Sequence, residues 1–102
     1  MIEKIKISQK EDPELQKIRE TVESGVQLEF RVHEDDTLRF GNRVCVPEVS
    51  ELKKEILNEA HNSAYTVHPG GTKMYRDLKK NFWWSGMKRD IAQFVAQCLV
   101  CQ

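Results

Sequence analysis

The sequence predicts an α+β chain: an N-terminal helix and a short antiparallel β-ribbon, then a three-helix bundle. Three observations predict it. A helix start at Asp12-Pro13 is followed by one apolar stripe. From Val26 the hydrophobic period changes to two, the mark of half-buried strands. After Ser50 three more helical stripes follow, with His61 and His68 early among them and Cys98 and Cys101 at the end. The expected division is residues 1–49 as a helix-plus-ribbon extension and 50–102 as a helical domain.

Met1 to Lys10 mixes charge with single apolar residues and carries no clear punctuation. It reads as a linker or a frayed arm, with no signal peptide visible. Asp12 is an N-cap and Pro13 suits the first helical position. Leu15, Ile18 and Val22 then recur at three- and four-residue steps, and Gly25 is a stop. The spacing predicts a helix over 13–24.

Leu28, Phe30 and Val32 alternate with polar neighbours, and Glu34-Asp35-Asp36-Thr37 is a turn. Leu38 and Phe40 resume the alternation, and Gly41-Asn42 turns the chain into Arg43-Val44-Cys45-Val46 before Pro47. Two or three short antiparallel strands are expected. Two strands alone are marginal in water, so the ribbon must pack on a helix.

Ser50 caps the next helix, with Leu52, Ile56, Leu57 and Ala60 inward and Glu51, Lys53, Lys54, Glu55 and Glu59 outward. His61 lies at the C-terminal edge of that stripe. His68-Pro69-Gly70-Gly71 is a loop, since Pro69 stops a helix and the glycines allow a sharp turn. Thr72 caps a helix from Lys73 to Asn81, with Met74, Tyr75, Leu78 and Phe82 inward. Trp83 and Trp84 either fill a core or stack on bases, and core packing is the reading Trp size favours. A last helix starts at Met87 and carries Ile91, Phe94, Val95 and Cys98 on one stripe.

Two histidines and two cysteines suit one tetrahedral zinc. Six residues separate His61 from His68, and Cys98-Leu99-Val100-Cys101 follows after a further 29. A redox Cys-x-x-Cys usually opens a helix, whose N-terminus lowers the thiol pKa, whereas this pair closes one. A ββα finger has its cysteines first and its histidines last, the reverse of the order here. A helical unit of ~50 residues rarely buries enough apolar surface to be stable alone. Structural zinc contributes ~10–16 kcal/mol in finger peptides. All four ligands come from protein, which leaves no open position, so the expected role is structural and not catalytic. His33 and Cys45 read as strand residues, with extra metal ligation as the alternative.

Sixteen Lys/Arg balance sixteen Asp/Glu. The balance is divided: residues 1–50 hold eight basic and eleven acidic side chains, residues 51–102 eight and five. The basic excess of the second half points only weakly to nucleic acid. Lys73, Arg76, Lys79, Lys80, Lys88 and Arg89 are the candidates for contact with phosphates or a partner, against the alternative of a solvated face. No apolar run approaches the ~20 residues of a membrane span. Three cysteines, two of them as Cys-x-x-Cys, suit metal-bound thiolates in an intracellular chain better than a disulfide framework.

His61 to His68, Gly70-Gly71-Thr72-Lys73, Phe82-Trp83-Trp84-Ser85-Gly86-Met87-Lys88, Asp90-Ile91 and Cys98-x-x-Cys101-Gln102 resemble the zinc-binding N-terminal domain of integrases of Ty3/gypsy-type LTR retrotransposons. Ser85 stands where a proline is common. Leu38 to Pro47 resembles the stretch upstream of that domain, and residues 1–49 resemble the N-terminal extension of some integrases. The resemblance implies a zinc-stapled bundle with helix-turn-helix character. It implies integrase multimerisation, binding of the element's double-stranded DNA ends, and residence in virus-like particles and the nucleus. It assigns catalysis to a separate RNase H-like core with three acidic residues, located after Gln102.

The leading expectation is therefore a non-catalytic zinc-binding module of a retrotransposon integrase, with one structural zinc on His61, His68, Cys98 and Cys101. The alternative is a self-association module with little DNA affinity, possible in a host-domesticated copy and favoured by the zero net charge. A Cys-x-x-Cys oxidoreductase is a third reading; it requires a reversible disulfide and no zinc.

Overall fold

A computed structural model describes residues 1–26, 28–61 and 71–97. Asp12 separates the first two helices, α1 (Ile2–Glu11) and α2 (Pro13–Glu23). It is extended, and its Oδ1 accepts the amides of Glu14 at 3.0 Å and Leu15 at 3.2 Å. That is the N-cap the sequence predicts. Its Oδ2 also accepts the Glu48 amide at 2.9 Å, which ties the α1–α2 corner to the segment before the third helix.

The expectation of a linker or frayed arm over Met1 to Lys10 is wrong. This segment is α1, with Ile5 and Gln9 only 0% and 1% exposed. The two are one turn apart on a single face. An isoleucine followed by a glutamine makes no recognisable apolar stripe, so the helix is legible only once its partners are in place.

Three strands follow: β1 (Phe30–Val32), β2 (Leu38–Phe40) and β3 (Arg43–Cys45). They pair antiparallel, Phe30 with Phe40 and Phe40 with Arg43. Asp36, at φ 66°, is the left-handed residue of the three-residue loop between His33 and Thr37, and Gly41, at φ 61°, opens the two-residue loop of the second hairpin. A fourth strand, β4 (Phe82–Trp83), pairs parallel with β3, giving the order β1-β2-β3-β4. The sequence predicts Phe82 on the inward stripe of the preceding helix and Trp83 in a core, and no strand; two residues are too few to show a period.

Gln9 closes the β2–β3 ladder. Its Nε2 donates to the carbonyls of Leu38 at 2.9 Å and Cys45 at 2.7 Å, and its Oε1 accepts the Leu38 amide at 2.9 Å. The amide side chain occupies the rung where Leu38 and Cys45 would otherwise pair. A buried glutamine is tolerated because its hydrogen-bonding groups are satisfied.

The helices are α3 (Ser50–His61), α4 (Gly71–Leu78) and α5 (Met87–Ala96). α4 begins and ends earlier than the expected 73–81, with Thr72 inside it. One core joins Leu52, Ile56, Leu57, Met74, Leu78, Trp84, Met87 and Ile91 to Ile5, Val44 and Val46. A second core holds Leu15, Leu38 and Cys45, edged by Phe30, Phe40 and Trp83. Alternation along β3 explains the split: Val44 and Val46 face the helices, Cys45 the ribbon and α2. The three helices thus share a core with α1 and β3 and are not a free-standing bundle.

Lys53 corrects another expectation. It was placed on the outer face of α3, yet it is 8% exposed. Its ammonium reaches Glu48 at 2.7 Å and Asp90 at 3.6 Å, and lies 5.6 Å from the Trp84 ring centroid. Trp84 Nε1 donates to Asp90 Oδ2 at 2.9 Å. The aliphatic stem is buried while the charge meets carboxylates, so α3 and the start of α5 are locked at one corner. Among the described residues no helix is long and apolar enough to cross a membrane.

Candidate metal centre and basic surface

His61 is the last residue of α3, four beyond Leu57, so the apolar stripe carries its ring inward. It is 1% exposed. Its ring meets Phe94 edge-on, with centroids 5.5 Å apart and planes at 86°. Phe94 lies in the last turn of α5, whose C-cap is Gln97; its amide closes the helix onto Gln93 O at 3.1 Å. Cys98 is the next residue in the sequence. The two helix ends that carry His61 and lead to Cys98 therefore converge.

His68, Cys98 and Cys101 lie outside the described residues. Accordingly no cluster of three or more His, Cys, Asp or Glu occurs among the described residues. The donor set fits zinc. Two imidazoles and two thiols are borderline-soft ligands of the right number, and His61 is withdrawn from water as a structural ligand should be.

The other two candidate ligands have different roles. His33 is half-buried on the ribbon, its Nε2 3.2 Å from the Gly41 carbonyl. Cys45 is completely buried, and burial pushes its thiol from 9.0 up to about 12. It remains a protonated thiol at neutral pH, and acts as a small apolar core residue.

The structure sorts the six basic candidates. Lys73 pairs with Asp77 at 2.8 Å, one turn on in α4. Its hydrogen bond holds the Asp77 carboxyl below the usual value. Arg89 lies 3.7 Å from Asp90 Oδ1. Lys79, in the turn that follows α4, and Lys88, from α5, flank the Tyr75 ring with ammoniums 5.3 and 5.9 Å from its centroid. Together with Arg76 they line a groove of about 480 Å³ between the two helices, whose lining includes Tyr75 and, among the described residues, no carboxylate. Lys80 is exposed in the turn after α4. Among the described residues, Arg76, Lys79 and Lys88 form no ion pair, so they concentrate positive charge on the helical surface.

Sequence reasoning missed Gln9 and Lys53. Lys53 gave one usable signal, its position beside Leu52 at the margin of the stripe. Gln9 gave none.

Residues 49–102 match the family model described as the integrase zinc binding domain. Among similar proteins are the Transposon Tf2-3, Tf2-4 and Tf2-5 polyproteins of Schizosaccharomyces pombe. Each is 26% identical over 78 residues, which cover 71% of this chain and 6% of the polyprotein. The chain thus spans a small fraction of the relatives it matches. No solved structure matches it. A family match over more than half of the chain, covering all four predicted ligands and both helix ends that meet at His61 and Phe94, makes this chain a member of the integrase zinc-binding domain family.

Proposed function

We propose that this chain is a non-catalytic module of a retrotransposon integrase, held together by one structural zinc and serving self-association and binding of element-end DNA. The observation that carries the metal reading is His61 buried against Phe94 at the end of α5. His61, His68, Cys98 and Cys101 would hold the ion. When bound, zinc supplies a cross-link between the ends of α3 and α5 and no reaction chemistry. The chain's own residues do the rest: Phe94 seats the imidazole, and Lys53, Trp84 and Asp90 fix α3 against α5 at the far end of the same pair. DNA contact falls to the Arg76, Lys79 and Lys88 groove. Intracellular residence, in virus-like particles and the nucleus, is part of the same proposal.

The test is metal analysis with duplex binding over a salt series. The reading expects one zinc per chain, and log K falling linearly with log salt as phosphate contacts release counterions. A second reading, self-association with little DNA affinity, is favoured by the zero net charge and by Lys73 being neutralised by Asp77. It expects a concentration-dependent mass in solution and no salt-dependent DNA signal.

A further inference from the structure

A second basic cleft, of about 800 Å³, lies between the β-ribbon and the turn that follows α4. Arg31 and Arg43 come to it from the ribbon, Lys79 and Lys80 from the helical side. Glu29 is the one carboxylate among the described residues that line it. Lys79 also lines the α4–α5 groove, so the two depressions share that side chain.

We propose that the nucleic-acid surface of this chain continues from the α4–α5 groove across Lys79 onto the β-ribbon, where Arg31 and Arg43 take the sugar-phosphate backbone of a DNA duplex. This rests on the reading that the chain binds DNA, and extends it to a segment outside the matched zinc-binding domain.

Three observations support the extension. Arg31 stands directly opposite Arg39 across β1 and β2, an unfavourable like-charge pair. Arg39 is neutralised by Asp35 at 3.0 Å, whereas Arg31 is exposed and forms no ion pair among the described residues. The ribbon therefore carries in Arg31 a cation that is not engaged in an ion pair with any described residue. Arg43 is held in place: its Nε donates to Phe82 O at 3.0 Å and its guanidinium lies 6.0 Å from the Phe40 centroid. Its charge is positioned without a carboxylate partner, so little side-chain entropy is lost when it meets an anion. Finally, cations drawn from the ribbon, from α4 and the turn after it, and from α5 line two clefts that share Lys79. That spread suits a chain of phosphates better than a single small anion. Leu28 and Phe40 add apolar surface in the same cleft, suited to contact with sugars.

The experiment is fluorescence anisotropy of a labelled duplex titrated with the zinc-loaded chain, between about 50 and 200 mM salt. Two double variants are compared, Arg31→Ala/Lys80→Ala in the cleft beside the ribbon and Arg76→Ala/Lys88→Ala in the helical groove. Each should reduce the slope of log K against log salt by about 1.8, roughly 0.9 per phosphate contact. Arg31→Lys should retain the wild-type slope, because a phosphate contact needs charge more than a fork. All substituted side chains are exposed, and unchanged melting curves establish that folding is intact. If the helical pair lowers the slope and the ribbon pair leaves it untouched, the extension is wrong and the DNA reading stands. If the wild-type chain shows no salt-dependent binding, the DNA reading falls and takes the extension with it.

Discussion

The ring of His61 meets the ring of Phe94 edge-on, at 5.5 Å between centroids. One residue ends α3 and the other lies in the last turn of α5, so this contact marks where the helices of the zinc-binding domain converge. Replacing a ligand of the proposed site should abolish that convergence. Cys98→Ser is expected to lower the affinity for zinc and to destabilise the fold by more than about 4 kcal/mol, the range in which loss of a metal falls. Circular dichroism with and without chelator measures it. Unchanged helix content and melting after complete zinc removal would falsify the structural-zinc reading.

Gln9→Ala removes three hydrogen bonds at once and strands the amide and carbonyl of Leu38 and the carbonyl of Cys45 in the core. The expected loss is about 2–4 kcal/mol, since unsatisfied buried polar groups cost about 1–3 kcal/mol each and the structure relaxes partly around them. Denaturant titration reads it as a lower midpoint at constant slope.

Trp84→Phe keeps most of the buried ring but loses the Nε1 bond to Asp90 and weakens the contact with the Lys53 ammonium. A destabilisation of about 1–3 kcal/mol is expected. A double-mutant cycle with Asp90→Ala should show coupling of the two residues; strict additivity would mean that the observed bond contributes nothing.

Asp35 titrates low, at about 2 against an ordinary 3.8, because the Thr37 hydroxyl donates to its carboxylate, helped by the Thr37 amide and by Arg39. A depressed carboxylate contributes stability that is fully present above its unfolded value and is lost as pH falls through the folded one. The turn between β1 and β2 should therefore loosen between about pH 4 and pH 2. Following the Asp35 carboxyl by NMR gives the midpoint directly. Thr37→Val should move that midpoint upward, and a midpoint that does not move would remove the hydroxyl as its cause.

Cys45 should resist alkylation in the folded chain. At pH 8 a thiol raised from 9.0 to about 12 has its reactive thiolate fraction reduced by about three orders of magnitude. Peptide mapping after brief iodoacetamide treatment should find Cys45 unlabelled until denaturant is added. Rapid labelling would mean that the β3 core opens readily.

Local patterns in the chain determined much of this protein. The Asp12-Pro13 cap, the α2 stripe, the period-two ribbon and the inward faces of α3, α4 and α5 are all written within a few residues of one another. So is the donor set of two histidines and two cysteines, because metal ligation restricts the residue types that can serve. These features suffice for the fold class and the family.

The tertiary structure decided what depends on distant partners. Gln9 acts on residues 29 and 36 positions away, and its helix has no stripe to announce it. Phe82 and Trp83 become a strand only because β3 offers its free edge. Lys53 is buried because Glu48 and Asp90 neutralise it and Trp84 covers it. The spread of charge onto Arg31 and Arg43 depends on the sheet being laid beside the end of α4. Periodicity records which face of an element is apolar. It does not record which polar group, from another part of the chain, will meet that face, and here those meetings set the architecture around the proposed metal centre.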